Sequence, residues 1–229
     1  MRVLALDAAT EACSVALLVD GRLTGRSIES GKSTAAKIVK MAEEVMAEGQ
    51  VSLSMLDGIA SSVGPGAFTG VRITVAVAQG LAFGAGLPVA GVTTLEALAL
   101  QVLSEAGAHA LACLDARMGE VYWARFAADA AAGVLAIGDA KVSPPESVAV
   151  EPGARYLGVG RGFCAYPMLC AIAGVELDAE RSQALPNARE VARLGALQLA
   201  AGRGLDPADL KPLYLRDKVA FTEAERAAQ

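Results

Sequence analysis

Apolar and polar positions alternate with a period of two at the start of the chain, the spacing of a half-buried strand. Val3, Ala5 and Asp7 share one face, a turn follows through residues 8–12, and a second strand runs over 13–19. Asp20-Gly21 supplies a tight hairpin turn, because both central positions accept positive φ, and residues 22–28 form a third strand. The period then changes. Over residues 34–48 the apolar positions Ile38, Met41, Ala42, Val45 and Met46 recur at helical spacing, with Ser33 as cap and Gly49 as stop. Residues 56–63 are predicted as a buried strand, and the turn-rich loop 64–70 opens an apolar helix over 71–85. A short strand at 89–92 and a helix from Thr94 follow, with Thr93 and Glu96 spaced as a capping box.

The same order then restarts. Residues 111–115 form a strand ending in Asp115, 117–120 a turn, 121–126 a strand, and Gly133 precedes another strand at 134–137. Asp7 and Asp115 stand about half the chain apart, which predicts a duplicated α/β unit in two lobes, residues 1–106 and 107–229. The second lobe continues with a strand and glycine turn over 156–162, a helix-like stretch at 163–173 and a helix over 187–201. Residues 222–229 are polar and expected to fray.

Composition narrows the function classes. Of 229 residues, 54% are hydrophobic and 20% charged, and the mean hydropathy of +0.42 leaves apolar surface to spare for an interface. A net charge of -5 argues against a stand-alone nucleic-acid binder, since phosphate binding is driven by clustered Lys and Arg. Any RNA contact is therefore expected through a partner. Cys13, Cys113, Cys164 and Cys170 lack paired spacing and are expected as buried, reduced thiols. The apolar run 71–87 is interrupted by Arg72, Thr74 and Gln79 and falls short of a membrane span, and Asp7 comes too early for a signal peptide. A cytoplasmic protein without membrane contact is the expectation.

A duplicated unit with an aspartate closing its first strand resembles the actin, sugar-kinase and Hsp70 superfamily (ASKHA, ribonuclease H-like), in which two lobes clasp ATP. Here that loop is Asp7-Ala8-Ala9-Thr10, and Ala9 stands where many nucleotide-binding relatives carry glycine. A Cβ there obstructs the close backbone approach that a phosphate needs. In the loop Gly64 to Arg72, Pro65-Gly66 suits the centre of a type II turn, Thr69 can cap the next helix, and the free amides offer an anion site. The anion- or nucleotide-proximal candidates are thus Asp7, Thr10, Gly66, Thr69, Gly70 and Arg72. A strand-end aspartate capping its own turn and a plain strand-to-helix connection explain the same residues.

No catalytic residue is assigned. Arg117, Glu120, Tyr122 and Trp123 fall close together, but they fit a hairpin turn and an alternating strand and contain no nucleophile and base. His109 is the single histidine, so no metal site and no cofactor are expected. Apolar residues surround the 71–85 helix, and Ala76, Gly80 and Gly84 recur at four-residue spacing that permits close helix approach. The expected partner-facing set is Ile38, Met41, Ala42, Val45, Met46, Val71, Val75, Ala78, Gln79 and Ala82, the alternative being burial of these helices within the monomer.

The strings Leu4-Ala5-Leu6-Asp7, Gly64 to Arg72 running into Ala78-Gln79-Gly80-Leu81, Gly91-Val92-Thr93-Thr94-Leu95, Asp115 to Ala124 and Pro212-Leu213-Tyr214-Leu215-Arg216 resemble the TsaB family, formerly YeaZ. That resemblance implies a non-catalytic paralogue of TsaD, the subunit that transfers threonylcarbamoyl to an adenosine beside the tRNA anticodon. It implies a heterodimer with TsaD, TsaE in the larger complex, a homodimer when alone, and tRNA contact only through TsaD. The paralogue's metal is held by two histidines on its first helix, where this chain has Ser33-Thr34-Ala35-Ala36-Lys37. The rival expectation is an autonomous ATPase or small-molecule kinase of the same superfamily, for which the isolated chain would bind nucleotide tightly.

Overall fold

The computed structural model describes residues 1–29, 35–103 and 108–216. Strands β1 (Arg2–Asp7), β2 (Ala12–Val19) and β3 (Arg22–Glu29) form an antiparallel meander. Its second hairpin, between β2 and β3, turns at Asp20 (φ 47°) and Gly21 (φ 87°), the positive-φ pair expected there. Helix α1 (Ala35–Glu48), β4 (Gly58–Ser62), α2 (Phe68–Ala85), β5 (Val89–Val92) and α3 (Thr94–Leu100) follow. Parallel strands require crossovers, and α1 and α2 supply them, giving the sheet order β3-β2-β1-β4-β5.

The second half repeats this plan. Its elements are β6 (His109–Arg117), β7 (Glu120–Asp129), β8 (Gly133–Ala136), β9 (Lys141–Ser143), β10 (Tyr156–Val159), α4 (Gly162–Ala165), β11 (Val175–Glu176), α5 (Ala179–Ser182) and α6 (Ala188–Ala200). The sheet order is β11-β10-β6-β7-β8, with β9 paired to β7. An antiparallel meander again extends into parallel strands, and β1 and β6 hold the equivalent central place. The duplicated two-lobe α/β fold is therefore present.

Alternation along β1 sends its side chains into two different cores. Leu4 and Leu6 pack with Val15, Leu17, Ile38, Val45 and Ala78 beneath α1 and α2. Val3 and Ala5 face the other way, against Val191 and Leu194 of α6. Helix α3, from the first half, in turn places Leu95 and Leu98 against Ala110, Ala112 and Phe126 of the second sheet. The halves thus exchange helices and share one core. The expected division between 106 and 107 lies outside the described residues; the two sheets fall on either side of it, whereas 188–216 pack on the first lobe.

The close fit of α6 has a local cause. A Cβ at Gly195 would lie 2.4 Å from Ala60 Cβ, and the Ala188 amide donates to buried Ser14 Oγ at 2.9 Å. Beyond α6 the chain forms a strap. Leu205 bridges Val89, the Leu213 amide donates to the Val63 carbonyl at 2.7 Å, and Arg216 pairs with Glu120 of the second lobe.

Several element ends differ from the sequence reading. Ser33 and 222–229 lie outside the described residues. Helix α1 ends at Glu48, directly before Gly49, but the left-handed residue beyond its end is Gln50 (φ 53°) and not the glycine, whose amide still bonds to Val45; the Val51 amide reaching the Met46 carbonyl closes the end. The stretch 163–173 breaks into α4 and a 3-10 turn, Pro167–Ala171, because proline cannot continue the helix. The Thr93 and Glu96 capping box forms as expected. Helix α2 starts at Phe68 and is, by length and composition alone, apolar enough to cross a membrane, which corrects the shorter span read from sequence. Val71, Thr74, Val75, Ala78 and Ala82 nevertheless bury one of its faces against the first lobe.

Candidate functional site

Between the lobes lies a cleft of about 540 Å³, lined by Thr10, Glu11 and Gly66 of the first lobe and Asp115, Arg117 and Arg161 of the second. Its first wall is the β1–β2 turn, on which the α2 loop docks. The Ala67 amide donates to the Ala9 carbonyl at 2.7 Å. A Cβ at Gly66 would lie 2.1 Å from the Ala9 oxygen, and one at Gly70 would lie 2.0 Å from the Ala8 oxygen. These glycines permit the α2 loop to dock backbone to backbone on the turn. On its other side the turn, with Ala9, Thr10 and Glu11, still borders the cleft.

The other anion candidates disperse. Asp7 is fully buried, with Oδ1 accepting the Ala9 amide at 3.3 Å and Oδ2 without a partner among the described residues. Burial raises its pKa, against the opposing pull of Ser62 and the Ala9 amide. Thr10 Oγ1 accepts from its own turn, the Ala12 amide. Thr69 does not cap α2, because the helix begins one residue before it, and Ala67 occupies the cap position without a side-chain bond. Gly66 is not in the left-handed region, so no type II turn forms. Arg72 turns away to the strap, with its guanidinium 3.8 Å over the Phe68 ring and Nε donating to Tyr214 OH at 2.8 Å.

On the second wall every strong charge is paired. Asp115 accepts the Arg117 amide at 2.7 Å and Tyr166 OH at 3.2 Å, and it forms an ion pair with Arg117 at 2.8 Å. Arg117 and Met118 carry positive φ in the hairpin turn. Trp123 joins Val121 in the core beneath β7 while Tyr122 faces the opposite side, as the alternation requires. His109 opens β6, with its ring 5.2 Å from Tyr156. Cys13 and Cys113 are buried, but Cys164 and Cys170 are exposed, because the broken helix leaves them outside the core. Among the described residues, no three His, Cys, Asp or Glu side chains gather as metal ligands would.

The expected partner-facing set needs correction. Ile38, Met41, Ala42, Val45, Val71, Val75, Ala78 and Ala82 are all buried within the monomer, where they pack α1 and α2 onto the first sheet. Met46 is half-buried, and Gln79 spends its amide on the Pro207 and Leu210 carbonyls. The surface left outward is the next stripe round α2. Ala76, Gly80 and Gly84 are exposed, with open space beside both glycines, and Ile73, Val77 and Phe83 (59% exposed) flank them. The four-residue spacing of Ala76, Gly80 and Gly84 was the sequence signal for this face, whereas apolarity alone pointed at the core.

Asp7 carries the first testable expectation. Asp7→Asn keeps the Ala9 bond and removes a buried charge, so stability should rise by about 1–3 kcal/mol. A carboxyl whose pKa is raised in the folded state favours folding below its unfolded pKa and loses that advantage as pH rises through the folded value. The gain should therefore grow as pH rises from acid and then level off. Thermal melts across pH measure it; an equal or lower midpoint for Asp7→Asn at neutral pH would contradict the assignment.

Fold and site together define a two-lobe α/β protein of the actin, sugar-kinase and Hsp70 type, with the α2 loop docked backbone to backbone on its β1–β2 turn. Residues 29–156 match the family model of TsaD, tRNA N6-adenosine threonylcarbamoyltransferase. The chain is 36% identical over 225 residues to the Escherichia coli K12 tRNA threonylcarbamoyladenosine biosynthesis protein TsaB, covering 96% of this chain and 97% of that one. The Haemophilus influenzae TsaB is 31% identical over 232 residues, covering 96% of each. Among solved structures, YeaZ from Pseudomonas aeruginosa superposes with a TM-score of 0.85 at 39% identity, covering 93% and 99%. The chain belongs to the TsaB (YeaZ) family.

Proposed function

We propose that this chain serves tRNA threonylcarbamoyladenosine biosynthesis as a non-catalytic subunit that binds TsaD and helps bring in TsaE. Its relatives' names supply the pathway. The exposed apolar and small-residue stripe Ala76, Gly80, Gly84 and Phe83 on α2 carries the partner reading. Small residues at four-residue spacing let a partner helix approach closely, and a stripe of this kind on a folded monomer favours a cover. When TsaD is absent, the same stripe pairs two copies; it cannot serve both at once. The charge of -5 leaves tRNA contact to the partner.

Ala9, whose Cβ obstructs close backbone approach of a phosphate to the turn, supports the non-catalytic half of the proposal and weighs against the ATPase or kinase alternative. That alternative keeps one point in its favour, the retained cleft with Asp7 and Asp115 at equivalent strand ends.

Reconstitution with TsaC, TsaD, TsaE and tRNA, adding and omitting this chain, tests the proposal. Modification is expected to depend on the chain, with no activity from the chain alone. Gly80→Arg should leave the monomer's fold intact, read as an unchanged far-UV circular dichroism spectrum, because the site is open in the monomer. It should weaken TsaD binding by about 100-fold or more, through a charge forced unpaired into a close helix contact. Turnover by the chain alone, or a homodimer whose mass is unchanged by TsaD, would defeat the reading.

A further inference from the structure

Arg161 stands just before α4 in the second lobe, yet its charge is spent on the first. Nη1 donates to Glu11 Oε1 and to Glu29 Oε1, each at 2.7 Å, linking the β1–β2 turn and the end of β3. Nε donates to the Gln183 carbonyl at 3.2 Å. The Gln183 side-chain amide in turn donates to Cys164 Sγ at 2.9 Å, and Cys164 lines the same cleft. One guanidinium therefore joins two elements of lobe one to the segment of lobe two that holds the cleft thiol.

We propose that Arg161 is a latch that holds the mouth of the interlobe cleft closed, positioning the β1–β2 turn against α4. Three observations carry it. The Arg161 side chain is only 26% exposed, so its two ion pairs are less screened than a surface pair such as Arg155 with Glu176, where the arginine is 81% exposed. Without the cation, Glu11 and Glu29 are left as like charges sharing one site, so its loss both removes attraction and adds repulsion. The other charges on the cleft wall, Asp115 and Arg117, are paired with each other and do not substitute. Elsewhere the lobes are joined by shared core and by the continuous strap, which charge substitutions leave in place.

The test uses the full chain alone, so it succeeds or fails independently of partner binding. In a Cys170→Ser background, Cys164 is the single exposed thiol among the described residues. Arg161→Gln should speed maleimide labelling of Cys164 and amide exchange at residues 8–12 across the cleft by about three- to tenfold, the loss of one or two partly screened pairs. Glu11→Gln with Glu29→Gln, which leaves the arginine in place, should open the cleft in the same direction but less, since no like-charge repulsion is added, and serves if Arg161→Gln fails to fold. Arg161→Lys should lie between them and the parent, because an ammonium keeps the charge without the fork. Arg155→Gln should change neither rate. Acceleration at both Cys164 and residues 8–12 in each folded latch variant supports the proposal. Parent-like rates in either folded variant, or faster labelling without faster exchange at 8–12, overturn it.

Discussion

A chain ending at residue 187 is expected to lose its cooperative unfolding transition altogether. Such a chain keeps both sheets, and by sequence position most of the second lobe, but it loses α6 and the strap. Val3, Ala5, Ala16, Ala60 and Ala90 then face water on one side, and Ala188, Val191, Ala192 and Leu194 no longer cover them. Burying one valine or leucine contributes about 1.5–3 kcal/mol, so two such residues with the alanines they cover reach the whole stability of a typical domain, about 5–15 kcal/mol. Leu210, fully inside the first core, is removed as well. Far-UV circular dichroism during heating reads the result. A sharp transition in the truncated chain would show that the halves are independent folding units after all.

Gly70→Ala is expected to lower stability by about 3 kcal/mol or more, at the upper end for overpacking. The added methyl would sit 2.0 Å from the Ala8 carbonyl oxygen, far inside contact distance, and that atom is backbone on the central strand's turn rather than a side chain that can swing away. At about 2–4 °C per kcal/mol for a chain of this size, the melting midpoint should fall by roughly 6–12 °C. Gly80→Ala is the internal control. It lies in the same helix with nothing within 4 Å of its Cβ, so it should gain up to about 1 kcal/mol from helix propensity. If both variants melt alike, the docking of α2 on the β1–β2 turn is not what Gly70 is for. The contrast also separates two meanings of a glycine-rich loop, since glycines kept for a phosphate would cost ligand affinity, whereas these are predicted to cost the fold.

The site was legible only in part. Ala9 in the Asp7 to Thr10 turn argues against a phosphate there, whereas the packing of Gly66 and Gly70 on Ala8 and Ala9 accounts for the glycines of the α2 loop. The set expected to face a partner is instead mostly buried under the first sheet, about a quarter-turn of α2 from the stripe that stays exposed. Helical periodicity finds an apolar face, but the most apolar face of a soluble helix is the one its own sheet covers. The outward stripe shows itself by small residues, Ala76, Gly80 and Gly84, which hydrophobicity ranks below Val71 and Val75. Arg161 carried no sequence signal, because Glu11 and Glu29 lie in the other lobe, far away in the chain.

What the sequence determined by itself is local and periodic: the alternation of β1 to β3, the Asp20-Gly21 turn, the Thr93 and Glu96 cap, and the repeat that makes two lobes. Each depends on residues within about ten positions, or on the same pattern occurring twice, so linear spacing is enough to read it. Only the tertiary structure decided which helix covers which sheet, that α3 and α6 are exchanged between the halves, and that Arg161 pairs with Glu11 and Glu29 across the cleft. Those outcomes depend on side chains meeting over long sequence separation, and the energy of such a meeting is invisible until the chain has folded.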